Sequence, residues 1–112
     1  MKDCLLLYTR PHSGREEEYN EWYEQHVREV LEFEGMVAGQ RFRIDGEGDH
    51  PTWEYLTIYE VDNLKIARPA ILRAQAEREA AGNPPNRKMY VTDALAARES
   101  HWYHSVSPRV VS

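Results

Sequence analysis

The sequence predicts a ferredoxin-like α+β fold, a βαββαβ chain with one antiparallel sheet and two helices on one face. Three observations lead there. Apolar patterning reads in the order strand, helix, strand, strand, helix, strand. The segment 15–34 carries a helical stripe of Tyr19, Trp22, Tyr23, His26, Val27, Val30 and Leu31, the i, i+3, i+4, i+7 pattern of an amphipathic helix. The chain has 112 residues, the size of a single domain spanning 1–112, with no further element to cover the second sheet face. A homodimer that buries sheet against sheet is therefore expected.

Residues 3–9, DCLLLYT, read as a strand buried on both faces. A Pro/Gly loop follows, with Ser13 as N-cap and Glu16 three residues on, as in a capping box. Glu16, Glu17 and Glu18 complement the dipole of the first turn. The helix stops at Gly35. Residues 36–44 form the second strand, with Gln40, Phe42 and Ile44 on one face and Arg41 and Arg43 on the other. A polar loop covers 45–51. The third strand, 53–61, has an aliphatic face of Leu56 and Ile58 and an aromatic-polar face of Tyr55, Thr57 and Tyr59. Asp62 or Asn63 caps a short helical turn through Ala67, and Pro69 opens a new helix. Residues 70–81 are strong helix formers, with Ile71, Leu72 and Ala76 as core candidates beside Gln75. Thr92 caps a short helix over 93–98, and 101–106 is the last strand.

Composition excludes several function classes. A net charge of −5 disfavours nucleic acid and anionic membrane surfaces as partners. No signal peptide and no run long enough for a membrane span is expected. Cys4 is the sole cysteine, read as a small buried hydrophobe, and the absence of disulfides fits a cytoplasmic location. The five histidines lack HxxxH and HExxH spacing, so no metal site is expected. There is no phosphate loop, no GxSxG and no nucleotide fingerprint.

The helix EEEYNEWYEQHVREVLEFEG, the arginine strand QRFRI and the strand YLTIYEVD together resemble the EthD-like family of the dimeric α+β barrel superfamily. The matching positions are Tyr19, Asn20, Trp22, Tyr23, His26, Gly35, Arg41 and Tyr59-Glu60, and the resemblance covers roughly residues 3–65. It implies a dimeric barrel whose pockets lie between sheet and helices. Relatives of that architecture include cofactor-independent monooxygenases, cyclases, isomerases, decarboxylases and haem-using enzymes, so the motif speaks for fold more than for reaction.

His26 is the leading candidate for chemistry, because an imidazole titrates near neutral pH and can take and return a proton. The alternative is a structural histidine bonded to a backbone carbonyl or a tyrosine. Tyr23 and His104 are the further acid/base candidates. Tyr8, Tyr19, Trp22, Arg41, Tyr55, Tyr59 and Trp102 are candidates for lining a substrate cavity, with Arg41 or Arg43 suited to a carboxylate or enolate. Trp102 and His104 share one strand face, and the pattern leaves open which face meets the helices. The expected ligand is a small aromatic or enolisable carbonyl compound, with no cofactor. The leading function is His-mediated proton transfer of the lyase, isomerase or cyclase type. The alternatives are a cofactor-free monooxygenase on a phenol and a non-catalytic small-molecule-binding dimer.

Overall fold

The computed structural model describes residues 2–46 and 52–112. The elements are β1 (Asp3–Pro11), α1 (Glu16–Val30), β2 (Met36–Arg43), β3 (Tyr55–Val61), α2 (Leu64–Ala80) and β4 (Leu95–Tyr103). The four strands form one antiparallel sheet in the order β2-β3-β1-β4, the βαββαβ ferredoxin-like fold. From residue 47 to 51, the expected polar loop lies outside the described residues. Among the described residues, no helix is long and apolar enough to cross a membrane.

Alternation along the strands sorts side chains onto two faces. Leu5 and Thr9 of β1 and Thr57, Tyr59 and Val61 of β3 are buried on the helix side. The core there joins Leu5, Val30, Tyr59, Val61, Ala67, Ile71 and Met89. The aromatic-polar face of β3 is thus the inner one, and Leu56 and Ile58 lie on the outer face. Cys4 is half-buried on that outer face rather than in the core.

Gly35 turns the chain from α1 into β2. Its φ is +96°, and its carbonyl accepts from Asp62 N at 2.7 Å. A Cβ there would stand 2.5 Å from the Asn63 carbonyl oxygen, so glycine is required by both conformation and space. At the other end of α1, Arg15 occupies the N-cap without a side-chain cap bond. Ser13 does not cap. Instead the Glu16 carboxylate reaches back to Gly14 N at 3.2 Å.

Three further expectations are corrected. α2 is one helix running through Pro69, not a turn and a second helix. Asn63 caps it by accepting from Ile66 N, and Pro69 deprives only the Lys65 carbonyl, on a side where both residues are exposed to water. The buried stripe of α2 is Ala67, Ile71 and Arg78, with Ala74 half-buried, whereas Leu72 and Ala76 are exposed. Arg78 can be buried because its guanidinium donates to the Met89 carbonyl at 3.0 Å. Finally, residues 95–98 are strand. Arg98 pairs with Thr9, Ala97 with Arg10 and Leu95 with Pro11 across a bulge, and this pairing overrides the helix preference of Ala-Leu-Ala-Ala-Arg. Thr92 still accepts from Ala94 N at 3.2 Å, but as a turn into β4.

Candidate functional site

α1 carries its aromatic half as the stripe predicts, but the stripe looks two ways. Tyr19 and Tyr23 point at the sheet and are 0% and 1% exposed. Trp22 and His26 face the segment 83–92, which crosses over α1. Between that segment and α1 lies a hollow of about 340 Å³, walled by Trp22, His26, Glu29, Arg28, Arg87 and Tyr90.

His26 is 8% exposed. Its ring stacks on the Trp22 indole at 4.5 Å between centroids and 20° between planes, and meets the Tyr23 ring edge-on at 5.7 Å. Its Nδ1 lies 3.4 Å from Glu29 Oε1, close enough for an ion pair but without hydrogen-bond alignment. The imidazole holds the Glu29 carboxyl below the usual carboxylate range, against the opposing pull of burial and helped by the Met89 backbone N–H. A carboxylate 3.4 Å from Nδ1 favours the imidazolium that forms when the ring takes up a proton, which suits a general base.

The segment 83–92 is held from both ends. Asn83, at φ 54°, donates to the Val91 carbonyl at 2.8 Å and accepts from Val91 N at 2.9 Å. Met89 is buried in the core, and Lys88 lies 4.5 Å over the Phe33 ring. Trp22 Nε1 donates to the Tyr90 carbonyl at 2.9 Å, tying the segment to α1.

Behind α1 is a second polar constellation, enclosed between helix and sheet. The Arg41 guanidinium stands 4.5 Å over the Tyr23 ring, 5.3 Å over Tyr19 and 5.4 Å over Tyr55. It donates to Asn20 Oδ1 at 2.8 Å. Tyr19 OH and Thr9 Oγ1 share a hydrogen bond. Tyr59 OH and Arg41 Nε are buried without hydrogen-bond partners. Burial pushes the Tyr23 hydroxyl up to about 12 and also raises Tyr59 and Tyr19, so all three remain protonated at neutral pH.

The structure thus gathers Tyr19, Tyr23, Arg41, Tyr55 and Tyr59 inside, and sets Trp22 and His26 at the groove. Trp102 packs on the core opposite Leu5. Two residues go elsewhere. Tyr8 lies on the outer face against Trp53, at 6.2 Å between rings. His104 falls beyond β4, largely exposed and 3.7 Å from Asp3, and shares no contact with His26. Sequence reasoning missed Glu29 and Tyr90. Glu29 is legible as the residue three after His26, one helical turn on. Tyr90 has no local signal, because only the fold brings it to α1. Among the described residues, no group of three His, Cys, Asp or Glu is placed to hold a metal ion.

No family model matches the chain, and no curated protein sequence does. Solved structures do match. A candidate monooxygenase from Shewanella loihica is similar with a TM-score of 0.64 and 17% identity, covering 95% of each chain. The haem-degrader MhuD of Mycobacterium tuberculosis is similar with a TM-score of 0.65 and 13% identity, covering 96% of this chain and 99% of that one. A candidate antibiotic biosynthesis monooxygenase from Nitrosomonas europaea is similar with a TM-score of 0.60 and 14% identity, covering 95% and 91%. The shared fold is the ferredoxin-like βαββαβ arrangement with one four-stranded antiparallel sheet. At these identities the likeness establishes the fold alone.

Proposed function

We propose that this protein is a cofactor-free monooxygenase acting on a phenolic substrate in the groove between α1 and the segment 83–92. The observation that carries the reading is the buried His26, with Glu29 behind Nδ1 and the Trp22 indole on its face at the wall of a 340 Å³ hollow. That volume suits a small-molecule site at the low end of the usual range. The likeness to the candidate monooxygenases of Shewanella and Nitrosomonas supports oxygenation over proton transfer alone. The helix motif from Tyr19 to His26 supports an EthD-like relation within the superfamily.

A phenol enters with its ring against Trp22 and its hydroxyl at His26. His26 takes the phenolic proton, and the Glu29 carboxylate stabilises the imidazolium. The electron-rich phenolate reduces O2 and forms a carbon–oxygen bond to it, and the imidazolium returns its proton to the peroxide oxygen, giving a hydroperoxide on a ring carbon and restoring His26. Loss of water leaves a quinone. One oxygen atom enters the product and the other leaves as water, so phenol plus O2 balances quinone plus water without a further reductant.

The outer sheet face supports a homodimer. Leu6, Leu56 and Ile58 are partly exposed there, and Phe42 is 41% exposed. A second copy laid on this face buries them and closes the barrel.

Oxygen uptake tests the reaction. Uptake that requires a phenol and is lost in His26→Ala supports it. Turnover of an enolisable carbonyl compound without oxygen uptake would return the site to proton-transfer chemistry of the isomerase or lyase type.

A further inference from the structure

A second hollow, of about 480 Å³, continues along α1 from the first. Trp22, Gln25 and Tyr90 line both. The indole and the Tyr90 segment therefore stand as a wall inside one longer groove. On the first side the groove presents His26, Arg28 and Arg87 together with the carboxylates of Glu29 and Glu32. On the second it presents the carboxylates of Glu18, Glu21 and Asp93 and the Thr92 side chain.

The wall is fixed at each end. The indole N–H is bonded to the Tyr90 carbonyl at 2.9 Å, and the indole face is stacked on His26. Tyr90 itself sits between Met89, which is 2% exposed, and Val91, which Asn83 clasps by both backbone groups. Neither side of the wall can move without breaking a hydrogen bond or unpacking a core residue. We infer that Trp22 is the size-determining residue of the groove: it confines the substrate to a one- or two-ring phenol in the hollow beside His26 and closes off the second hollow.

The charges agree with this assignment. The first hollow balances Arg28 and Arg87 against Glu29 and Glu32, whereas the second is lined by the carboxylates of Glu18, Glu21 and Asp93 with no lining cation among the described residues, so a phenolate is repelled less in the first. Shortening the side chain at 22 joins the two spaces into one more than twice the size of the first. Additional rings of a larger phenol then extend past Gln25 toward Thr92.

The inference rests on the groove being a phenol site, so its test reads binding rather than turnover. 1-Naphthol and 9-phenanthrol are titrated against wild type, Trp22→Ala and Trp22→Leu by calorimetry, with circular dichroism checking the fold of each variant. Trp22→Leu keeps an apolar side chain on the helix if Trp22→Ala fails to fold. Wild type should bind 1-naphthol at least about tenfold tighter than 9-phenanthrol, and the variants should gain at least about tenfold for 9-phenanthrol. Equal binding of the two phenols by wild type, or an unchanged preference in a folded variant, overturns the size wall while leaving the phenol site standing. Binding of neither phenol by wild type overturns both.

Discussion

Gly39 sets how closely α1 approaches the sheet, and replacing it with alanine measures that approach. It lies on β2 opposite Tyr59, facing α1. A Cβ at this position would stand 2.9 Å from Tyr59 Cδ1, 3.0 Å from Cε1 and 3.3 Å from Val27 Cγ1. The Tyr59 ring is 1% exposed and cannot swing aside, and Val27 belongs to the helix that carries His26. Overpacking of this kind costs about 1–3 kcal/mol. The lower backbone entropy of alanine in the unfolded chain returns about 0.4–1 kcal/mol. The net expectation is a loss of about 1–2 kcal/mol. With a urea slope on the order of 1 kcal/mol/M for a chain of this size, the unfolding midpoint falls by roughly 1–2 M. Gly46→Ala is the control, because nothing lies within 4 Å of a Cβ there. A midpoint for Gly39→Ala within error of wild type would refute the claim that β2, Tyr59 and α1 are in contact at this point.

Tyr59→Phe removes a buried hydroxyl that has no hydrogen-bond partner, so it should change stability by less than about 0.5 kcal/mol or raise it, as read by urea unfolding. Glu29→Gln tests the pair with His26. Because the Glu29 carboxyl is held below its ordinary value of 4.5, its contribution is present above that value and lost as pH falls through the lower folded one. Wild type should therefore exceed Glu29→Gln in stability at pH 6 by up to about 1 kcal/mol, with the gap closing below pH 4. Leu6→Lys places a charge at the middle of the outer sheet face, between Ile58 and His101 in the register. Sedimentation should show wild type at twice the 13.1 kDa chain mass and the variant as a monomer.

The order of elements and the α1 stripe are legible because each is a local pattern. A continuous apolar run marks β1, period two marks β3, and Tyr19, Tyr23, His26 and Val30 repeat at helical spacing and are all buried. What escaped is decided by contacts far apart in the chain. Residues 95–98 have helical preference, yet pairing with β1 makes them strand. A strand's two faces can be separated by alternation, but alternation does not say which faces the helices, so the pattern cannot part Tyr8 from the residues on the opposite side. His104 has strand-like neighbours, yet β4 ends one residue before it. Arg78 reads as surface charge on a weakly amphipathic helix until Met89 offers it a carbonyl. The groove itself depends on the segment 83–92 folding back over α1, and no spacing in the sequence connects Tyr90 to Trp22.

The most direct measurement is oxygen uptake against phenol consumption, followed together with an oxygen electrode and by quinone absorbance, for wild type and His26→Ala. One O2 should be consumed per phenol converted by wild type, without added metal, flavin or haem, and the variant should turn over about 10²–10⁴ times more slowly with its fold unchanged by circular dichroism. Equal rates in the two proteins would contradict the role of His26, and phenol conversion without oxygen uptake would contradict the oxygenase.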